Sequence, residues 1–209
     1  MPIDYTKRPA AAGGTPPKVV LSKSAPSVSL TKQSGLLRVN LNWNAVPAGG
    51  LSKGRRIDLD LGCLWRLTDR RGVVQALGNA FTVPGPGDKP VIWLDGDDRS
   101  GDNAAGENLF VDLSQVHLIE KVLVFTYIYE GTPNWAEADA VVTLHPASGP
   151  RIEVRLDEAD QTARTCAIAM LENVGGELAV RREVRYIQGA QEALSNAYGW
   201  DLRWQRARK

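Results

Sequence analysis

The chain has 209 residues, of which 43% are apolar, so it can bury a sizeable core and disorder of the whole chain is excluded. Lysine and arginine number 25 against 24 acidic residues, a balance that excludes a dedicated DNA-coating protein. The acidic residues concentrate between residues 57 and 180, while both ends are basic. This distribution favours binding of a cation or a basic partner by the middle of the chain, with a solvated acidic surface as the alternative.

The N-terminal residues 1–18 are rich in Pro, Gly, Ala and Thr and have no apolar periodicity, which predicts a flexible tail before one domain over residues 19–209. Asp4, Lys7 and Arg8 interrupt any secretory signal, and the longest apolar run, residues 122–129, is too short to span a membrane. Cys63 and Cys166 lie in apolar segments and are expected to be buried free thiols. We therefore expect a soluble cytoplasmic protein without a transmembrane segment.

Short segments with alternating or β-branched apolar residues follow one another along the chain and predict strands. They cover residues 19–23, 28–30, 37–43, 57–65, 73–77, 91–94, 121–129, 138–144, 152–156 and 178–186. Residues 162–171 are compatible with either a helix or a strand, and Gly175-Gly176 indicates a hairpin turn. Residues 190–198 predict a short C-terminal helix that ends at Gly199. The pattern indicates an all-β fold, a β-sandwich of antiparallel strands with that helix.

The aromatic residues offer two interpretations at the C-terminus. Trp43, Trp65 and Trp93 lie on predicted strands and are expected in the core, whereas Trp200 and Trp204 stand among basic residues. Such a segment either packs its indoles against the domain or stacks on a nucleic acid or meets an anionic membrane. The sequence carries no clear nucleic-acid motif. Its two histidines lie in no nucleophile motif, so we expect no enzymatic activity.

The densest polar cluster is a loop over residues 95–108. Its acidic and amide side chains are Asp95, Asp97, Asp98, Asp102, Asn103, Glu107 and Asn108. Carboxylates that crowd one loop repel one another, and Ca²⁺, which takes six to eight oxygen ligands, would offset that repulsion. The alternative is a solvated acidic loop. The spacing is not that of an EF-hand, because a loop starting at Asp95 would have Ser100 at position 6 and Gly106 at position 12.

A second pair of carboxylates lies on the predicted strand over residues 57–65. Asp58 and Asp60 share one face of that strand, while Leu59 and Leu61 face the core. A strand with one solvated face has the same pattern. Together with the acidic loop, however, the pair predicts that two segments supply carboxylates to shared ions.

The order of four motifs is distinctive. Ile57-Asp58-Leu59-Asp60 comes first, followed by Gly101-Asp102-Asn103-Ala104-Ala105-Gly106-Glu107, then by Val111-Asp112-Leu113-Ser114, and finally by Lys121-Val122-Leu123-Val124-Phe125. This combination resembles the TerD family of tellurium-resistance and stress proteins. The resemblance extends over residues 19–189.

The resemblance implies a bacterial, calcium-binding β-sandwich without enzymatic activity. Carried over by position, the ligands it implies are Asp58, Asp60, Asp102, Asn103, Gly106 through its carbonyl, and Glu107. One departure stands out, because the family continues from this point into a Gly-rich stretch ending in consecutive acids, whereas Asn108, Leu109 and Phe110 follow here. Asp97 and Asp98, upstream in the loop, are candidates to replace the missing acids.

The sequence thus predicts a non-enzymatic calcium-binding protein of tellurium resistance and stress response. We expect it to act as a scaffold for protein partners of such a system. The alternative is an interaction module in which the cation is purely structural and the basic ends bind a partner protein, nucleic acid or membrane.

Overall fold

A computed structural model describes residues 17–30, 35–47, 49, 55–96, 106–131, 133–158, 160 and 162–205. Two short α-helices, α1 (Trp135–Ala138) and α2 (Gln191–Ala197), accompany thirteen strands in this part of the chain. The strands are β1 (Lys18–Val20), β2 (Ser27–Leu30), β3 (Leu36–Asn42), β4 (Asp58–Leu67), β5 (Arg71–Gln75), β6 (Thr82–Pro84), β7 (Pro90–Leu94), β8 (Glu107–Asp112), β9 (Ile119–Glu130), β10 (Ala140–His145), β11 (Arg151–Leu156), β12 (Thr165–Val174) and β13 (Glu177–Ile187). Short 3-10 helices lie at Leu77–Asn79, Pro86–Asp88 and Leu113–Leu118.

The strands form two sheets. Sheet A has the order β1-β11-β10-β3-β8-β7-β6, and sheet B has the order β2-β13-β12-β9-β4-β5. Neighbouring strands are antiparallel except for β1, which runs parallel to β11. The predicted antiparallel β-sandwich with a short C-terminal helix is confirmed. Within the described ranges no helix is long and apolar enough to cross a membrane.

Three segments differ from, or refine, the expectation from sequence. Residues 165–174 form β12, because their pairing with both β9 and β13 outweighs the helical preference of Ala and Leu. Residues 107–112, which the sequence assigned partly to the acidic loop, form β8 between β3 and β7. Lys18, the last residue of the predicted tail, lies in β1, and residues 1–16 of that tail lie outside the described residues.

The main core lies between the sheets and follows the period of two that strands impose. On β3, Leu37, Val39 and Leu41 are fully buried against the other sheet. Cys63 and Cys166 belong to the same core, and burial raises the pKa of both thiols. The prediction of core thiols is therefore confirmed, and neither cysteine is poised to react.

Sheet B is apolar on its outer face as well. Leu64, Leu123, Phe125 and other side chains of β4, β9 and β12 pack there against Leu194 of α2 and against Trp200. The indole N–H of Trp200 donates a hydrogen bond to the carbonyl of Trp65 at 3.1 Å. Burial on both faces explains the uninterrupted apolar run of β9. It also supports the interpretation in which the C-terminal indoles pack against the domain.

The expectation that Trp43, Trp65 and Trp93 lie in the core is met only in part, because all three are half-buried and only Trp43 and Trp65 pack against the core between the sheets. Trp43 follows the end of β3 and donates its indole N–H to the carbonyl of Ile57 at 2.9 Å. Trp93 of β7 stacks on Phe110, its register partner in β8, with ring centroids 5.3 Å apart. The fully buried indoles are those of Trp135 and Trp200, which lie outside the strands.

Candidate metal site

The two carboxylates of β4 are buried. Asp58 is 3% exposed and Asp60 is 0% exposed, so the alternative of a solvated strand face is wrong. Leu59 and Leu61 belong to the core between the sheets, as the alternation predicts. Asp58 and Asp60 therefore lie on the other face of β4, in a place where burial of a carboxylate is costly unless hydrogen bonds or a cation compensate.

Glu107 links the two sheets at this end of the sandwich. Its carboxylate oxygen Oε2 accepts a hydrogen bond of 2.6 Å from the Leu61 amide, across from β8 to β4. The last register pair of β5 is Gln75 with Gly62, so the edge of β4 is open at Leu61. Glu107 therefore supplies the acceptor that a neighbouring strand would have supplied, and its carboxylate lies against the peptide joining Asp60 to Leu61.

The backbone and the neighbouring atoms require a glycine at position 106, immediately before β8. Its φ is +63°, and a Cβ atom built on it would lie 2.1 Å from the carbonyl oxygen of Leu41 and 2.8 Å from the Asn42 side-chain oxygen. A side chain would therefore push β8 away from β3 at the point where Glu107 is positioned.

We expect Gly106→Ala to lower the free energy of unfolding by about 2 kcal/mol or more, because the substitution combines a left-handed backbone with a backbone clash. Gly96→Ala is the matched control, since Gly96 precedes the same loop and has open space around its Cα. Urea unfolding of both variants measures the difference. Equal stability of the two variants would contradict the proposed close approach of Gly106 to β3.

The base of the acidic loop is closed by a pair of residues that the sequence analysis did not assign to structure. Asn108 donates its side-chain amide to Asp95 Oδ2 at 2.9 Å, and the Asp95 amide donates to the Asn108 carbonyl at 3.1 Å. Asn108 also accepts a hydrogen bond of 2.9 Å from the side chain of Asn40 on β3. Asp95 is thus tied to the sheet. In the sequence, the only indication of this pairing is that the two residues are polar and flank the loop.

The departure from the family motif after Glu107 has a structural reason. Leu109 and Val111 are fully buried in the core between the sheets, and Asn108 and Phe110 alternate with them on the other face of β8. The residues that follow Glu107 are therefore committed to a central strand. They cannot serve as a further acidic segment of the loop.

Half of the predicted ligand set can be placed. Asp58, Asp60, Gly106 and Glu107 lie at the same end of the sandwich, whereas Asp97, Asp98, Asp102 and Asn103 lie outside the described residues. Within the described ranges alone, no group of three or more His, Cys, Asp or Glu side chains is arranged to hold a metal ion. The donors present are oxygens only, which is the chemistry of a hard cation such as Ca²⁺ or Mg²⁺.

The chain is similar to a curated tellurium-resistance protein. Over 201 residues it is 42% identical to tellurium resistance protein TerA of Alcaligenes sp., a match that covers 92% of this chain. The same match covers 58% of that protein, so the chain spans little more than half the length of this relative. No protein-family model matches the chain.

Solved structures share the fold. A crystal structure of a homologue of telluride resistance protein (TerD), SCO6318 from Streptomyces coelicolor A3(2), aligns with a TM-score of 0.51 and 19% identity, covering 75% of this chain and 92% of that one. The crystal structure of the unknown-function protein SAV2460 aligns with a TM-score of 0.58 and 15% identity, covering 78% and 96%. At these identities the structures support the β-sandwich fold. Together with the TerA match they confirm the resemblance on which the motifs were assigned.

Proposed function

This chain is a homologue of the tellurium-resistance protein TerA, and on that premise we propose that it is a non-enzymatic, calcium-binding component of a tellurium-resistance system. In this proposal the protein acts as a scaffold, and bound calcium joins the two sheets of its sandwich at one end. We also propose that the protein takes part in stress response and is located in the cytoplasm.

One observation carries the proposal of a metal site. Three carboxylates, Asp58, Asp60 and Glu107, are buried at one end of the sandwich, and Glu107 lies against the peptide that follows Asp60. Burial strengthens the repulsion between like charges, because the local dielectric is low. A divalent cation held by some of these oxygens together with oxygens of the acidic loop would convert that repulsion into attraction.

The acidic loop supplies the remaining oxygens in this proposal. Asp102, Asn103, the carbonyl of Gly106 and the additional acids Asp97 and Asp98 belong to a segment whose two ends are joined by Asp95 and Asn108. Calcium accepts six to eight oxygen ligands in a flexible arrangement, which suits a loop of this composition. When bound, the ion would hold the loop against β4 and so stabilise the junction between the two sheets.

Thermal unfolding with calcium and with magnesium tests the proposal. We expect calcium to stabilise chelator-treated protein by about 2.7 kcal/mol at a hundredfold excess over its dissociation constant, which corresponds to a rise in Tm of about 5–10 °C. Magnesium should raise Tm much less, since it demands octahedral geometry and retains its waters. Absence of a calcium effect, or an equal effect of both ions, would reject the selective site.

A further inference from the structure

Three cations lie side by side on the outer face of sheet B, at the end opposite to β4's carboxylates. The register pairs Arg66 of β4 with Arg71 of β5 on one side and with Lys121 of β9 on the other. Like charges directly opposite each other on neighbouring strands destabilise a sheet. We call Arg71, Arg66 and Lys121 the basic row.

The basic row makes no ion pair among the described residues. Arg71 donates a hydrogen bond of 3.3 Å to the carbonyl of Asp201, and no carboxylate forms an ion pair with any of the three. Glu172 is the register partner of Lys121 on β12, yet the two charges form no ion pair either. Within the part of the protein that the structure describes, the row is therefore not neutralised by a direct ion pair, although Glu172, Asp69 and Glu120 are nearby.

Trp200 holds two of these cations in place. The Arg66 guanidinium lies 5.7 Å and the Lys121 ammonium 4.7 Å from the centroid of the same indole ring. That indole is fully buried and is fixed by its hydrogen bond to the Trp65 carbonyl. Cation–π contact with one ring keeps both charges close together, although they repel each other.

A cavity of about 220 Å³ opens beside the basic row. Arg66, Arg70 and Arg71 line it together with the β4–β5 turn, and Asp69 and Glu120 stand among the lining residues. The turn is closed by the Leu67 amide, which donates to the carbonyl of Arg70 at 2.8 Å. The Nε atom of Arg66 is buried and makes no hydrogen bond with the described residues.

We propose that the basic row and this cavity bind a small, multiply charged oxyanion of the phosphate class. Arginine guanidinium groups present paired donors that match tetrahedral oxyanions, and the Lys121 ammonium adds a point charge. An oxyanion bridging the row would remove the repulsion between the opposed cations and would satisfy Arg66. This site is separate from the proposed calcium site and does not depend on it.

Inorganic phosphate, titrated at constant ionic strength against chloride, is the probe. We expect saturable binding, seen both as a rise in Tm and as a shift of the Trp200 indole N–H resonance. Arg71→Gln should weaken phosphate binding at least about tenfold, since charge-assisted hydrogen bonds are the strong ones. Lys121→Gln should weaken it less, because Lys121 lies beside Arg66 but does not line the cavity. Without phosphate, Arg71→Gln should be no less stable than the wild type, because it removes a repelling charge.

Arg155→Gln is the matched control, since Arg155 is an exposed strand arginine of sheet A and its loss changes the net charge equally. Arg71→Lys, which keeps the charge, should retain more phosphate affinity than Arg71→Gln. The proposal is overturned if phosphate acts no differently from chloride, if all variants respond alike, or if only phosphatidylglycerol vesicles and not free phosphate are bound. Calcium binding should be unaffected in each of these variants, so failure of this proposal would leave the proposed calcium site untouched.

Discussion

Asp60→Asn is expected to weaken calcium binding at least about hundredfold, equivalent to about 2.7 kcal/mol of binding free energy. Asp60 is fully buried, and its replacement removes a formal charge from the residue that precedes Leu61, whose amide binds the Glu107 carboxylate. Calcium affinity depends on the number of charged ligands, so the loss of one is severe. Asp102→Asn should have a similar effect if the loop and β4 share an ion. Titration calorimetry on chelator-treated protein measures both.

Two exposed acids provide the controls for these variants. Asp69 lies in the β4–β5 turn and Asp88 is the last residue of the 3-10 helix before β7, so Asp69→Asn and Asp88→Asn should leave the calcium isotherm unchanged. In the presence of chelator, Asp60→Asn should be at least as stable as the wild type, because it removes a buried like charge. A structural role for Asp60 without metal would produce the opposite result, a loss of stability with chelator present.

Replacement of Asp97 and Asp98 tests whether the calcium site keeps a full set of acidic ligands. A large loss of calcium affinity on their replacement would mean that acids upstream in the loop substitute for those missing after Glu107. A small loss would mean that the chain has fewer or weaker sites than the family motif implies. An unchanged isotherm in both Asp60→Asn and Asp102→Asn would show that the site itself is wrongly assigned.

Trp200→Ala is expected to lower the free energy of unfolding by about 3–5 kcal/mol, the range for removing a large buried aromatic side chain. Trp200 is fully buried on the outer face of sheet B, and its indole N–H is bound to the Trp65 carbonyl. Its removal would leave a cavity above Leu64 and Leu123 and would weaken the packing of α2 on this face of sheet B. Urea unfolding measures the loss.

Trp204→Ala is the matched control, because Trp204 is half-buried at the margin of the same apolar cluster. We expect a loss well below that of Trp200→Ala. Amide hydrogen exchange should also show faster exchange in α2 of the Trp200 variant, because Leu194 packs in the same cluster. Equal losses for the two tryptophans would mean that the segment acts as a loosely attached tail rather than as part of the domain.

Local pattern was sufficient to determine most of the strands, the Gly175-Gly176 hairpin and the C-terminal helix, but it did not predict β6 or β8 and left β12 open between helix and strand. These elements follow from a period of two, from β-branched content and from turn residues, all of which act between near neighbours. The ordered motifs also established the relationship to tellurium-resistance proteins, which the TerA match confirms. The carboxylates Asp58 and Asp60 could be selected for the same reason, because their spacing is visible within one strand.

Only the tertiary structure decided which faces are buried and which segments meet. Asp60 is fully buried rather than solvated, Glu107 joins sheet A to sheet B, and the outer face of sheet B is covered by Trp200 and α2. The basic row likewise depends on pairing between β4 and β9, whose residues Arg66 and Lys121 are far apart in sequence. Burial and charge proximity are set by contacts between distant segments, and a local pattern in one segment carries no information about what lies against it.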